Sequence, residues 1–570
     1  MVRPSRGLSG NLRLAGLILA GAVPVLAFGL FFFYPVGSLI GRGLVGPDGF
    51  DLSGVGDVLA RPRFSRILWF TVWQAALSAV LAVAVGIPGA YLLYRCSFRG
   101  RNLLRAVVTV PFVLPTVVVA LAFRTLFAQN GPLGSWGLDG SLVTILLAHV
   151  FLNYAVVVRT VGGTWAHLDR RTEEAARSLG ARGTRVFLTI TLPALGPAIS
   201  AAMLMVFLFC ATSFGIMLIL GGTKYSTLET EIYRQTTQML DLPTAAVLSI
   251  AQLVLVTVVL LVAARVRRRT EATLKLREAR SGARALRWAD LPAVVVTAAA
   301  LLLVVVPIGT LLVRSLQTAD GWGLDNYRAL GSLGEGNLLL VSGWEALGNS
   351  VSSAVTAAAL AVAVGIALSV VLARRPRERL PRRVIGFLDG MFMLPLGVSA
   401  VTVGFGFLIA LDRPPFDLRQ SGLLVPIAQA LVATPLVVRM ILPVLRAADD
   451  RLRQAAAVLG APPGRVWLTV DLPLMARALA GATAFAFAVA LGEFGATSFL
   501  ARPQEPTLPV LIGRLISRPG ATNTGMALAA GVILALVCAV VVFAVDRFAS
   551  GGRRGQKSTQ AAGVGGMGAF

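Results

Sequence analysis

Long apolar blocks separated by short polar segments constrain the fold of this chain more than any other feature of its sequence. Apolar residues make up 56% of the chain and charged residues only 14%, whereas a soluble protein carries about 25% charged residues. About 20 apolar residues in a helix cross the roughly 30 Å hydrocarbon core of a bilayer. A helix also satisfies its own backbone hydrogen bonds in lipid, so we predict a multi-pass, all-α membrane protein. Twelve spans are predicted, at residues 14–36, 68–94, 104–127, 141–160, 196–220, 244–264, 291–315, 347–373, 384–411, 422–445, 475–500 and 525–547.

Basic residues cluster in alternate turns between these spans and predict the orientation of the chain. Arg99 and Arg101 follow span two, and the pair Arg170-Arg171 follows span four. Residues 129–141, between spans three and four, contain no Lys or Arg. Because cytoplasmic loops are enriched in Lys and Arg, both termini and the even-numbered turns are predicted to be cytoplasmic. The same rule accounts for the net charge of +25, and no basic groove lined by aromatic residues accompanies it, so no nucleic-acid partner is predicted.

A polar segment that occurs twice, 280 residues apart, divides the chain into two repeats. We call residues 168–193 the first polar loop and residues 448–473 the second polar loop. Outside the loops, Phe214-Gly215 matches Phe494-Gly495 at the same offset. Because each repeat has six spans, both repeats enter the membrane in the same orientation, related by a pseudo-twofold axis along the membrane normal. The sequence therefore predicts two parallel six-helix repeats with a substrate path between them.

The predicted domain boundaries follow these repeats. The first six-span half occupies residues 1–264 and the second occupies residues 291–550. A basic cytoplasmic linker, residues 265–290, joins the two halves, and residues 551–570 are predicted to be a disordered tail.

Each polar loop is predicted to form a short helix that docks a partner. Alanine dominates the apolar stripe of each helix, and small side chains let a helix lie deep in a groove on another protein. Glycine at the end of each stripe can adopt the left-handed conformation that terminates a helix. A helix lying on lipid headgroups is the alternative, but duplication with matched spacing favours docking. The predicted docking residues are Glu174, Ala175, Ala176, Gly180, Gln454, Ala455, Ala456 and Gly460.

At these residues the chain resembles the binding-protein-dependent ABC importer permeases, which carry a cytoplasmic loop signature. The first polar loop matches every position of that signature, with Glu174, Ala175, Ala176, Gly180, Ile190, Leu192 and Pro193. The second polar loop departs from it at Gln454, which replaces the acid, and at Val470, which replaces Ile. The resemblance covers residues 14–550 and implies the type I ABC importer permease (MetI-like) fold.

The resemblance also implies a function, partners and a location. It implies inward movement of a small solute by ATP-driven alternating access, in the inner (cytoplasmic) membrane of a bacterial cell. A cytoplasmic ABC ATPase dimer would bind ATP and Mg, and an extracytoplasmic solute-binding protein would deliver the solute. Most such permeases are single six-span chains that pair, and a fused double permease resembles the branch that serves thiamine and ferric iron. Segments such as 220–222 and 490–495 are most similar to thiamine permeases, which makes thiamine the expected cargo and ferric iron the alternative.

Enzyme activity is not expected of this chain. It has no G-x-x-x-x-G-K-[ST] phosphate loop, so ATP hydrolysis is expected on a separate subunit, with no cofactor in this chain. Neither catalytic residues nor a metal site is predicted, because the three cysteines and two histidines have no ligand spacing. An ATP-independent secondary carrier with parallel six-span repeats and a non-transporting membrane scaffold are the competing interpretations.

Glu493 is an acidic residue inside a predicted span, and its counterpart in the first repeat is Ser213. An ionisable residue within the membrane is a candidate for function. Glu493 could line the substrate path and attract a cationic substrate such as thiamine, or it could be a structural cap bonded to neighbouring Ser or Thr residues. His149 and Asn153 lie four residues apart on one face of span four, which favours hydrogen bonding between helices.

Overall fold

The computed structural model describes residues 21–46, 49–50, 53–271, 284–318, 321–337, 339–373, 386, 390–392, 398–411, 418 and 421–564. In the first part of the chain the helices are α1 Gly21–Leu44, α2 Ser53–Ala60, α3 Pro62–Arg95, α4 Arg101–Val113, α5 Thr116–Phe127, α6 Leu142–Ala166, α7 Arg170–Ser178, α8 Gly183–Ala211, α9 Phe214–Ile216, α10 Leu228–Thr237 and α11 Leu242–Glu271. In the second part they are α12 Leu291–Ser315, α13 Asp325–Ala329, α14 Gly343–Leu372, α15 Ala400–Ala410, α16 Leu424–Ala447, α17 Asp450–Val458, α18 Gly464–Leu491, α19 Thr497–Leu500, α20 Leu508–Ile516 and α21 Ala521–Val564.

Strands are confined to three two-residue pairs in the described chain. Val45–Gly46 pairs with Gly49–Phe50 and Gln317–Thr318 pairs with Gly321–Trp322, both antiparallel. Cys96–Ser97 pairs in parallel with Arg284–Ala285. Ten helices of the described chain are long and apolar enough to cross a membrane, or eleven when one bent pair is taken as a single span. The predicted all-α membrane fold is confirmed.

The stretch predicted as one span over residues 104–127 consists of two helices with a sharp bend between them. Helices α4 and α5 meet at an angle of 103°. Leu114 has an extended backbone, with φ −72° and ψ 136°, and Pro115 follows it. A proline disfavours the helical conformation in the residue before it, so the chain turns here. The predicted span 384–411 lies partly outside the described residues, and α15 is the main helix of its described part.

The spans predicted at 196–220 and 475–500 begin earlier and end earlier than expected. Helices α8 and α18 start inside the polar loops, because a π-turn carries each helix into the span without a break. These turns are Phe187–Thr191 and Trp467–Asp471. Pro193 and Pro473 lie two residues after these turns, where the backbone hydrogen bonding already departs from the regular α pattern. Each polar loop is therefore continuous with the apolar helix after it.

The chain forms two compact units, and each unit contains segments from both sequence repeats. The first-repeat unit consists of Leu39–Trp344 and Leu508–Ala535, and so includes α12. The second-repeat unit consists of Met1–Ser38, Glu345–Thr507 and Leu536–Phe570, and so includes most of α1. The boundaries predicted from the repeats describe the duplication of the sequence, whereas the packing groups the helices differently.

Within each unit, a glycine lets two helices lie in close contact. In the first-repeat unit α3 packs along α6, and a Cβ atom placed on Gly86 would lie 2.5 Å from Cγ1 of Val157. In the second-repeat unit a Cβ atom on Gly365 would lie 2.6 Å from Cγ1 of Val437. Small residues at such contacts allow helix backbones to approach each other closely in membranes. The same packing contact is therefore present in both repeats.

Candidate functional site

The helix of each polar loop begins at an aspartate that caps it. Asp169 Oδ1 accepts a hydrogen bond from the backbone N–H of Arg171 at 3.0 Å. Asp449 Oδ1 accepts the equivalent bond from Arg451 at 2.9 Å. Such a cap satisfies one of the backbone donors left free at the start of a helix. The sequence analysis did not identify these caps, although the aspartates are matched at the offset of 280.

The two loop helices end at the glycines expected to end them. Gly180 has φ +83° and Gly460 has φ +79°, both in the left-handed region. In each loop the residue after the glycine donates its N–H to the carbonyl oxygen five residues earlier, from Ala181 to Ala176 and from Ala461 to Ala456, at 3.0 Å in both. This arrangement satisfies carbonyl groups at the end of the helix and requires a residue that tolerates positive φ.

The predicted docking residues lie on the exposed side of the loop helices. Glu174, Ala175, Gln454 and Ala455 are exposed, while Ala176 and Ala456 are partly exposed. Each helix also ends in a leucine with almost no cover, since Leu179 is 88% exposed and Leu459 is 87% exposed. The pattern of exposure is the same, residue by residue, over 171–180 and 451–460. Exposed apolar side chains within a polar surface are typical of protein or membrane contacts.

The less exposed side of each loop helix is held by charged residues that the sequence analysis did not single out. Glu173, next to the signature residue Glu174, accepts a hydrogen bond from Nη2 of Arg95 at 2.9 Å. In the second polar loop, Nε of Arg453 donates to Oδ1 of Asp471 at 2.8 Å. The exposed acid Glu174 of the signature therefore lies next to a partly buried anchor, Glu173.

Glu493 lies at a break between α18 and α19, whereas the prediction placed it within one unbroken span over residues 475–500. Its Oε1 accepts a hydrogen bond from the backbone N–H of Ala496 at 2.7 Å, and its Oε2 accepts one from Thr497 at 3.0 Å. The side chain is buried and caps the short helix α19. This geometry is that of the structural cap. Ser213 is also buried, and its Oγ has no hydrogen-bond partner among the described residues.

Two buried acids outside the predicted spans were missed. Glu229 and Glu231 are buried in α10, a helix too short to be predicted as a span. Glu229 Oε1 accepts a hydrogen bond from Nε2 of Gln252 at 3.0 Å, and Glu231 Oε2 accepts one from Arg63 at 3.0 Å. The sequence signal was the spacing of Leu228 and Ile232, four residues apart and both buried, on a short amphipathic helix.

The hydrogen bonding between helices predicted for span four is confirmed. His149 Nδ1 and Ser78 Oγ are 3.1 Å apart and join α6 to α3. Asn153 Nδ2 donates to the carbonyl oxygen of His149 at 2.9 Å and contacts Sγ of Cys210 at 3.5 Å. Across the described residues, no group of three or more His, Cys, Asp or Glu side chains could hold a metal ion.

Comparison with known proteins places both polar loops in the same family. The family model described as the inner membrane component of binding-protein-dependent transport systems matches residues 82–272 and 365–554, which together make up more than half of the chain. The chain belongs to this family. Each match contains one polar loop, so the duplication predicted from the sequence is a duplication of the family's domain, and the protein is a fused double permease.

Several relatives are similar along most of their length. The thiamine transport system permease protein ThiP of Brucella abortus (strain 2308) is 28% identical over 521 residues, which cover 87% of this chain and 91% of the relative. ThiP of Escherichia coli (strain K12) is 25% identical over 504 residues, covering 85% and 88%. A solved bacterial ABC transporter that imports the acidic polysaccharide alginate has a chain 19% identical, with a TM-score of 0.39, covering 46% of this chain and 98% of that chain.

Membership of the family establishes the general role of the protein. It is a multi-pass inner-membrane component of a transport system that depends on a binding protein, and the family is one of transport subunits. This assignment disfavours both the secondary carrier and the membrane scaffold.

We expect Glu493→Gln to lower stability and to leave transport by the folded protein nearly unchanged. The amide nitrogen of Gln cannot accept a hydrogen bond, so the buried N–H of Ala496 or Thr497 would lose its partner. An unsatisfied buried donor costs about 1–3 kcal/mol. Thermal unfolding in detergent and uptake per folded complex measure the two effects. Glu505→Gln, at an exposed glutamate, is the control, and a fall in uptake per folded complex at unchanged melting temperature would instead assign Glu493 to the substrate path.

Proposed function

We propose that this chain is the fused permease of an ABC importer that moves thiamine inward by ATP-driven alternating access. The observation that carries the proposal is that one chain holds two polar loops of the same local geometry, one in each family match. The proposed cargo is supported by relatives named thiamine permeases that align with 85% to 87% of the chain. The parallel repeats would place the path of the thiamine cation between the two halves.

The two polar loops are the proposed contact with a cytoplasmic ATPase dimer. The exposed sides of α7 and α17, with Glu174, Gln454 and the alanines beside them, would enter one groove on each ATPase subunit. ATP and Mg would be bound by the ATPase. This arrangement requires both polar loops, and with them both termini, to lie on the cytoplasmic side, while the solute-binding protein delivers thiamine from outside. The basic turns beside the loops support this orientation.

Purified chain alone is expected to have no ATPase activity. Because each repeat offers one polar loop, one permease chain should copurify with two ATPase subunits. Co-expression with the candidate ATPase, followed by size-exclusion chromatography and a phosphate-release assay, measures both. Nucleotide hydrolysis by the isolated chain, at a rate that survives further purification, would contradict the proposal.

Uptake of labelled thiamine tests the cargo. The assay uses proteoliposomes that contain the permease–ATPase complex, with the binding protein outside and ATP inside. We expect uptake to require all three proteins and ATP, and ferric iron serves as the competing cargo. ATP-dependent uptake of iron without uptake of thiamine would reassign the cargo and leave the transporter class intact.

A further inference from the structure

One partly buried glutamate attaches the first polar loop to α3 and to the span that follows the loop. Glu173 Oε2 accepts from Nη2 of Arg95, at the end of α3, and the two side chains are 12% and 5% exposed. Glu173 Oε1 accepts from Oγ1 of Thr191 at 3.0 Å, at the end of the π-turn that starts the next span. Arg95 Nη1 also donates to the carbonyl oxygen of Leu168 at 3.2 Å, just before the helix. The loop helix is therefore fixed to the end of α3 and to the π-turn that begins the span after it.

The second polar loop uses the same two positions with different charges. Residues 453 and 471 are the counterparts of 173 and 191 at the offset of 280. Here the loop helix carries the base, Arg453, and the π-turn carries the acid, Asp471, with their side chains 31% and 12% exposed. The counterpart of Arg95 is at residue 374 or 375, outside the described residues. The loop helix is thus joined to the following span in both repeats, but its anchoring residue is an acid in one and a base in the other.

Ion pairs of this kind fix geometry more than they add stability. Desolvation of the two charges offsets most of their attraction, yet removal or reversal of one partner leaves a charge without compensation. An arginine at position 173 would lie against Arg95, and a glutamate at position 453 would lie against Asp471. The loop helix of the first repeat therefore requires an acid at position 173, and that of the second repeat requires a base at position 453.

We propose that Glu173 with Arg95 and Thr191, and Arg453 with Asp471, are positioning residues that transmit movement between each docking helix and its span. Their opposite polarity makes the two docking helices non-interchangeable. The inference rests on the docking role proposed above. It adds that these positioning residues, and not only the docking surface, determine how much substrate is transported for each ATP hydrolysed.

Polarity reversal in the second polar loop tests the proposal, because Arg453 and Asp471 both lie within that loop. The variants are Arg453→Glu, Asp471→Arg and the double variant with both changes, each assembled with the ATPase and the binding protein. Uptake per ATP hydrolysed is measured in complexes with a full complement of ATPase. Coupling between sites is worth on the order of 5- to 150-fold, and we expect each single variant to lose about fivefold to tenfold. The double variant should recover to within about twofold of the parent, since opposite charges again face each other.

Controls separate the anchor from general effects of charge. Arg328→Glu reverses one member of an exposed pair with Asp325, outside the polar loops, and should leave uptake per ATP unchanged. In the first polar loop, Glu173→Arg should lower uptake per ATP more than Glu173→Gln, because Gln can still accept from Arg95. A role confined to folding would change yield and melting temperature without changing uptake per ATP.

The results for these variants can be distinguished from a failure of the proposed importer function. If the parent chain does not bind the ATPase, the docking proposal itself fails before any variant is compared. If the parent binds and the single variants couple like the parent, the anchors do not position the helices. A double variant no better than the single ones overturns the inference, and so does a double variant that fails to fold, because reversed polarity should restore the pair. The inference is supported if the single variants fail to assemble with the ATPase but the double variant assembles and transports.

Discussion

Replacing Gly180 and Gly460 together with valine is expected to abolish ATP-driven uptake while leaving the membrane spans folded. Both glycines have positive φ, and a Cβ atom placed on either would meet nothing within 4 Å. The free-energy cost of a side chain at these positions therefore comes from the backbone conformation and not from a steric clash. A left-handed backbone costs roughly 1–2 kcal/mol for a residue with a side chain, and a β-branched residue such as valine is especially unsuited to it. We expect the ends of both loop helices to shift and ATPase binding to be lost, as measured by copurification and uptake.

Matched glycines in the same loops provide the control. Gly183 and Gly464 also have open space around them but lie in the first turns of α8 and α18, without positive φ. Gly183→Ala with Gly464→Ala should therefore leave ATPase binding unchanged. Gly180→Asn with Gly460→Asn should fall between the parent and the valine variant, because Asn tolerates the left-handed region. Parent-like uptake by the double valine variant would show that these loops are not the coupling surface.

The repeat could be recognised from the sequence because it is a property of residue spacing. Apolar blocks located most of the membrane helices, and the offset of 280 located both polar loops. The structure extends the repeat to contacts, since Gly86 meets Val157 and Gly365 meets Val437. The helix-ending role of the loop glycines followed from the same logic, because few other residues suit that position.

The breaks within apolar segments could not be predicted in the same way. Pro111 lies inside α4, whereas Pro115, four residues later, marks the 103° bend. Pro88, Pro197 and Pro307 also lie inside long helices. A proline in the interior of a helix removes one backbone hydrogen bond, but the packing around it decides whether the helix continues. Composition alone therefore does not distinguish a tolerated proline from one that ends a helix.

The position of Glu493 shows the same limit for a candidate site. An apolar block placed it within a span, but the helix ends at Leu491 and the carboxylate caps a new helix. The buried acids Glu229 and Glu231 show the opposite error, since they lie in a segment too polar to be predicted as part of the membrane protein's core. Burial of a charged group depends on its partners, and those come from distant parts of the chain, as Arg63 does for Glu231.

Replacing Gly86 or Gly365 with isoleucine is expected to destabilise the unit that contains it more than any change in the polar loops. The added Cβ atom alone would lie 2.5 Å from Val157 Cγ1, or 2.6 Å from Val437 Cγ1, so the two backbones would have to separate. Overpacking typically costs about 1–3 kcal/mol, and a branched side chain at a backbone contact belongs at the upper end of that range. Thermal unfolding in detergent and the yield of monodisperse protein measure the loss.

The control for these variants is a glycine in the same pair of helices that has room for a side chain. Gly163 lies in α6, which packs along α3, and a Cβ atom there would meet nothing within 4 Å. Gly163→Ile should therefore keep the melting temperature close to that of the parent. Because the contact is repeated, Gly86→Ile and Gly365→Ile should have similar effects although they act in different units. A parent-like melting temperature for both variants would mean that the close approach of these helices does not hold either unit together.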